Sequence, residues 1–174
     1  KAREMQVLTR EEIQRFLIHA KAEGYFELFL LELTTGLRRG ELLALLWTDL
    51  DVENRTISIT KQVTRTKGEL VVSQPKTHNS IRILPVSQQA VELLVEEHKK
   101  HPENPYMFPS PKTGGMFDPD SFRHTHEKIL KSIGAEHIRF HDLRHTFATL
   151  SLKNGVDVKS LSSTLGHYSA GFTL

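Results

Sequence analysis

Apolar residues recur at helical spacing through the first third of the chain and again through its second half. Between these regions the spacing shortens to strict alternation. Thr9 followed by Glu12 forms a capping box, in which a hydroxyl and a carboxylate satisfy two orphan backbone N–H groups, so a helix is predicted from there to about Glu23, with Gly24 as its stop. A second apolar helix is expected from Tyr25 to about Thr35, interrupted by Gly36, and a third from Arg39 to about Trp47. Leu42, Leu43, Leu45, Leu46 and Trp47 make that third segment apolar enough to be read as buried. Thr48-Asp49-Leu50-Asp51 reads as a turn.

From Thr56 the period becomes two. Ile57, Ile59 and Val63 follow strand spacing, and Leu70-Val71-Val72 and Ile81-Arg82-Ile83 add short strands, joined through Thr66-Lys67-Gly68 and through residues 75 to 80. A small three-stranded antiparallel sheet is the natural assembly. Helical spacing returns from Ser87 to about Lys100, with Val91, Leu94 and Val95 on one face and Glu92, Glu96 and Glu97 on the other. A Pro- and Gly-rich loop follows over 102 to 115, then a helix opening at Asp118-Pro119 and closing at Gly134. Two further helices are expected, His141 to about Asn154 and Asp157 to about Leu165, each ended by a glycine. The fold class is therefore α+β, mostly α-helical, with one small sheet.

Composition narrows the function classes. A chain of 174 residues, 38% of them hydrophobic, is sufficient for one domain with a real core, or for two small lobes. It contains no cysteine, which excludes a disulfide frame or a thiolate metal site and fits a cytoplasmic protein. The longest apolar stretch, Phe26 to Leu33, is broken by Glu27 and Glu32 and falls short of the roughly 20 residues of a membrane span. Net charge is only +2, but its distribution is uneven: residues 55 to 82 carry six Lys/Arg against one Asp/Glu, and residues 121 to 174 carry seven against four. The acidic residues lie mainly in the first 54 and in 83 to 120. Basic segments of this kind suit a polyanion if they converge.

Five polar residues stand out as candidates for chemistry: Arg38, Lys76, His141, Arg144 and His167. His141 and Arg144 are three apart on a predicted helix and share one face, which pairs an imidazole with a guanidinium, a combination suited to an oxyanion. Arg38 lies in Thr35-Gly36-Leu37-Arg38-Arg39-Gly40-Glu41, where two glycines bracket two arginines directly before an apolar helix. Glu41 is in reach of either arginine, as a structural ion pair or as a group that orients one of them.

Taken together, Thr-Gly-Leu-Arg-Arg-Gly-Glu at 35 to 41, Pro-Lys-Thr at 75 to 77, His-Asp-Leu-Arg-His-Thr-Phe-Ala-Thr at 141 to 149 and Leu-Gly-His at 165 to 167 resemble the tyrosine recombinases. The four motifs occur in the family's order and cover nearly the whole chain. The resemblance implies site-specific recombination of double-stranded DNA through a 3′-phosphotyrosine intermediate, with integrases of mobile elements as the nearest kind. Arg38 would be the first arginine of the site, Lys76 the general acid, His141 and Arg144 the His-x-x-Arg pair, and His167 the second histidine. Arg39 and His145 have no counterpart in the site. The family needs no metal or other cofactor and works as a tetramer on two duplexes.

In one respect the sequence departs from the pattern. The chain ends at Leu174, seven residues after His167, before the point at which the resemblance places the nucleophile. Tyr168 is too close to His167, and Tyr25 and Tyr106 lie in the wrong segments, so none of them is assigned. Residues 1 to 174 are accordingly expected to be a catalytic domain without the family's amino-terminal DNA-binding domains and without the tyrosine segment. DNA is expected to lie against a basic face built from Arg65, Lys67, His78 and Arg82 near the strand turns. Two other readings stand beside this one. One is a DNA-binding module that cuts nothing. The other is a metal enzyme built on the histidines at 124, 126, 137, 141 and 145, disfavoured because position 142 is not Glu and Arg144 would repel a cation.

Overall fold

A computed structural model describes residues 8–74, 81–136, 138–139 and 142. The chain divides into two units, Lys1–Leu37 with Thr125–Leu174, and Arg38–His124.

The first unit begins with the capping box the sequence announces. The Glu12 N–H donates to Thr9 Oγ1 (3.1 Å) and the Thr9 N–H donates to Glu12 Oε1 (3.0 Å), so α1 (Arg10–Ala22) starts at a fixed residue. Ile13, Phe16, Leu17 and Ala20 form its buried stripe at the spacing of one helical face. Gly24 then takes φ +87° and turns the chain into α2 (Phe26–Thr35). Every residue of α2 from Leu28 to Thr34 is buried, and α2 ends at Gly36 in the left-handed region (φ +68°). Phe16 meets Phe29 edge to face, with ring centroids 4.8 Å apart, and His126 lies 6.0 Å from both rings. Ile129, Leu130 and Ile133 add to the unit's buried apolar set near the end of α5 (Pro119–Ser132), and Gly134 (φ +73°) terminates that helix. Past it, the Arg139 N–H donates to the buried Asp142 (2.7 Å).

The second unit opens with α3 (Arg39–Leu43), which is shorter than the sequence predicts. The backbone of Leu45 to Trp47 leaves the helix to pair with the segment at 105–107: the Trp47 N–H donates to Pro105 O (3.0 Å) and the Met107 N–H to Leu45 O (3.1 Å). Leu42, Leu43 and Leu45 are buried as expected, whereas Leu46 and Trp47 are only half-buried, and Trp47 stacks on His98 at 4.3 Å. The expected turn at 48 to 51 is a single 3-10 turn over Trp47–Asp49, tied down where the Leu46 N–H donates to Asp49 (2.9 Å), followed by β1 (Leu50–Asp51).

A three-stranded antiparallel sheet is present, but its membership differs from the expectation. It runs in the order β1, β2 (Thr56–Ile59), β5 (Arg82–Pro85), with Ile57 opposite Leu84 and Ile59 opposite Arg82. The stretch at 70 to 72 belongs instead to β4 (Glu69–Ser73), which pairs with β3 (Gln62–Thr66) in a separate hairpin. Its two-residue loop explains the choice. Lys67 (φ +51°) and Gly68 (φ +80°) both adopt positive φ, the tight turn whose twist matches paired strands, so β3 and β4 close on each other. Ile57, Ile59 and Val63 are buried, while β4 is exposed along its length. Ser87 caps α4 (Gln88–Lys100), accepting from the Ala90 N–H (3.1 Å), and Asp118 caps α5, accepting from the Asp120 N–H (2.8 Å). The two helices expected after His141 lie outside the described residues.

Candidate active site

Arg38 is the residue just before α3, in extended backbone (φ −70°, ψ 151°). Its N–H donates to Glu41 Oε1 (3.0 Å), so the carboxylate three residues on closes the first turn of the helix. Gly40, between them, is required by packing: a Cβ there would lie 2.7 Å from Val63 O on β3. Gly40 therefore lets α3 sit directly on the β3 backbone, with Arg38 at the helix start.

Glu41 is fully buried, and its charge is matched from β5. Arg82 Nη1 donates to Glu41 Oε2 (2.8 Å) and Nη2 to Oε1 (3.0 Å), a two-pronged ion pair in which the guanidinium plane meets both carboxylate oxygens. Burial pushes the Glu41 carboxyl up. The hydrogen bonds from Arg82 and from the Arg38 N–H, with the charges of both arginines, outweigh it and leave the pKa below the ordinary glutamate value. Arg82 shifts up in return, through its hydrogen bond to Glu41. Arg38, by contrast, is exposed, and among the described residues its guanidinium has no hydrogen bond or ion pair.

The remaining sequence-predicted residues divide sharply. Arg65 is held on its own surface: Nη2 and Nε bond the Asp118 carboxylate, Nη1 donates to Gly68 O (2.7 Å), and Asp120 lies 3.6 Å from Nε. That contact lowers the Asp118 pKa. Lys67 is exposed at the hairpin tip, two residues along. Arg82 is committed to Glu41. Lys76 and His78 fall in the segment 75–80, and His141, Arg144 and His167 also lie outside the described residues. His126 is in the aromatic core of the first unit, and His124 is exposed. Among the described residues no cluster of three metal-ligating side chains gathers, and no helix is long and apolar enough to cross a membrane.

Sequence reasoning misses the Glu41–Arg82 pair, although a signal for it exists. In Ile81-Arg82-Ile83-Leu84 a strand of period two puts Arg82 and Leu84 on one face and the two isoleucines on the other. The isoleucines are the exposed side, with Ile83 67% exposed. A charge on the inner face of a strand calls for a buried partner, and Glu41 is that partner.

The arrangement offers a phosphate ester one exposed planar cation whose backbone is fixed at both ends. The model of the phage integrase family matches residues 6–173. A tyrosine recombinase XerC-like protein of Caldanaerobacter subterraneus subsp. tengcongensis is 33% identical over 98% of this chain and 49% of its own length. The ICEBs1 integrase of Bacillus subtilis is 32% identical over 80% of this chain and 40% of its own. The chain thus spans about half the length, or less, of these relatives. Among solved structures, the Tn1549 transposon integrase in complex with a circular intermediate DNA superposes with a TM-score of 0.78 at 20% identity, over 97% of this chain and 62% of that one, and so shares its fold.

Proposed function

We propose, from the premise that this chain belongs to the phage integrase family, that it is the catalytic domain of a site-specific recombinase of a mobile element, acting on double-stranded DNA. The observation that carries the reading is the contrast between two arginines. Arg82 is spent on the buried Glu41, whereas Arg38, whose backbone the same carboxylate fixes, is exposed with a free guanidinium among the described residues.

In the proposed reaction a tyrosine hydroxyl attacks the scissile phosphorus. The P–O5′ bond breaks, a 3′-phosphotyrosine forms, and Lys76 gives its proton to the departing 5′ oxygen. Negative charge gathers on the non-bridging oxygens as the tyrosine attacks. Arg38 and Arg144 bind those oxygens with planar guanidiniums, and His141 and His167 donate hydrogen bonds to the phosphate or relay the nucleophile's proton. Attack by a 5′ hydroxyl on the phosphotyrosine reverses the step and joins the new strands. The ester bond energy is kept in the phosphotyrosine, so the cycle is isoenergetic and calls for no nucleotide hydrolysis. Assembly as a tetramer on paired duplexes belongs to the same proposal. Lys67, exposed at the hairpin tip, is assigned a contact to the phosphate backbone.

The test offers a nicked suicide duplex to the full-length protein. A covalent protein–DNA adduct is expected, and Arg38→Lys should abolish it while sparing most of the DNA affinity. Intact binding with no adduct from the parent protein would leave a DNA-binding module and overturn the proposal.

A further inference from the structure

Glu41 and Arg38 stand three residues apart at the start of a helix, the spacing at which a carboxylate and a guanidinium ordinarily pair. A buried carboxylate 3.0 Å from the Arg38 N–H is a strong competitor for the Arg38 side chain. A guanidinium captured there would be neutralised before any phosphate arrived. Capture is not what the structure contains: both Glu41 oxygens are occupied by the two prongs of Arg82, and the Arg38 side chain is exposed.

From this we infer that Arg82 is a positioning residue for the reaction, which saturates the Glu41 carboxylate and thereby keeps the Arg38 guanidinium available to the scissile phosphate. The inference rests on the proposed role of Arg38. It gives Arg82 a different task from the direct DNA contact expected from sequence, because its donors face a buried acid on the strand's inner side. Glu41 is then a double-edged element. Its acceptor fixes the Arg38 backbone, and its charge is tolerable only with Arg82 in place.

The experiment compares single-turnover cleavage by Arg82→Gln, Glu41→Gln/Arg82→Gln, Arg82→Lys and Arg38→Ala, each in the full-length protein. Two duplexes are used, one with the natural scissile phosphate and one with a neutral methylphosphonate in its place. DNA affinity and Tm are measured in parallel. Arg82→Gln is expected to slow cleavage of the natural phosphate about tenfold or more, as expected of a sub-ångström to ångström displacement of a clamp. On the neutral phosphonate the loss should shrink to about twofold, because Arg38 has less charge to neutralise there. The double variant should recover most of the rate, since the amide oxygen that Glu41→Gln introduces can still accept from the Arg38 N–H but carries no charge to capture its side chain. Arg82→Lys, which keeps the charge, should fall between the two. If Arg82→Gln fails to fold, the double variant and Arg82→Lys carry the test. Cleavage unchanged in Arg82→Gln, a loss undiminished on the phosphonate, or a double variant no better than Arg82→Gln at equal Tm overturns the inference while leaving the role of Arg38 intact. Cleavage that survives Arg38→Ala overturns the underlying reading instead.

Discussion

Replacing Gly40 by alanine adds one methyl group at the closest approach between α3 and β3. The new Cβ would stand 2.7 Å from Val63 O, with Gln62 Cβ at 3.6 Å and Val63 C at 3.7 Å. A carbon and a carbonyl oxygen settle at about 3.3 Å or more, so helix and strand must separate by roughly 0.6 Å. The obstacle is backbone, which cannot swing aside as a side chain would. Overpacking of this kind costs about 1–3 kcal/mol, and alanine's better helix propensity returns about 1 kcal/mol. A net loss of up to about 2 kcal/mol follows, or a fall in Tm of up to about 8 °C for a chain of this size. Gly115 serves as the control, since its added Cβ meets only Thr113 Oγ1 at an ordinary 3.6 Å. Thermal unfolding followed by circular dichroism should show Gly40→Ala clearly below the parent and Gly115→Ala within about 0.5 kcal/mol of it. Cleavage by Gly40→Ala should fall further than stability does, because the displaced turn carries Arg38. A Gly40→Ala protein with a Tm at or above the parent's would refute the claim that this glycine seats α3 on β3.

Three other outcomes follow from the same contacts. Thr9→Ala removes the hydroxyl half of the α1 capping box and should destabilise by about 1 kcal/mol in denaturant titrations; no change would show the cap to be frayed in solution. Glu41 has its pKa lowered on folding, so the stability it contributes is present above the ordinary glutamate range and is lost as pH falls through the depressed folded value. Glu41→Gln should therefore flatten the acid limb of a denaturant-midpoint profile at and below the ordinary glutamate range relative to the parent, and parallel limbs would contradict the buried ion pair. Lys67→Ala should lower the slope of log affinity against log salt by about one unit, and an unchanged slope would remove Lys67 from the DNA interface.

Much of the fold is legible in the sequence because it is set locally. The Thr9–Glu12 box and the glycines at 24, 36 and 134 mark helix ends through hydrogen bonds and positive φ that involve neighbours within a few residues. The same holds for Lys67-Gly68, whose turn chemistry marks a hairpin. Strand pairing is different. Whether 70 to 72 pairs with 62 to 66 or with 81 to 83 depends on partners that periodicity does not name, and the first alternative forms because the two-residue turn leaves those strands adjacent. Long-range backbone pairing likewise cuts the third helix short at Leu43, since residues 105 to 107 offer Leu45 to Trp47 a sheet-like partner. At the site, Arg38 is readable from its glycine-bracketed setting. The partner of Glu41 is not, because Arg82 stands 41 residues away in the chain, and Arg39 and Arg38 are nearer by sequence. Arg65 shows the limit of counting charges: six basic residues crowd 55 to 82, yet Arg65 is turned to Asp118 and Arg82 to Glu41.

A crystal structure of the chain bound to a duplex containing its cleavage site would decide whether these side chains handle one phosphate. The expected result is a scissile phosphate within hydrogen-bond reach of Arg38, Lys76, His141, Arg144 and His167, with Arg82 still paired to Glu41 behind it. A scissile phosphate held by other residues, with Arg38 turned back onto Glu41, would contradict both the clamp and its support.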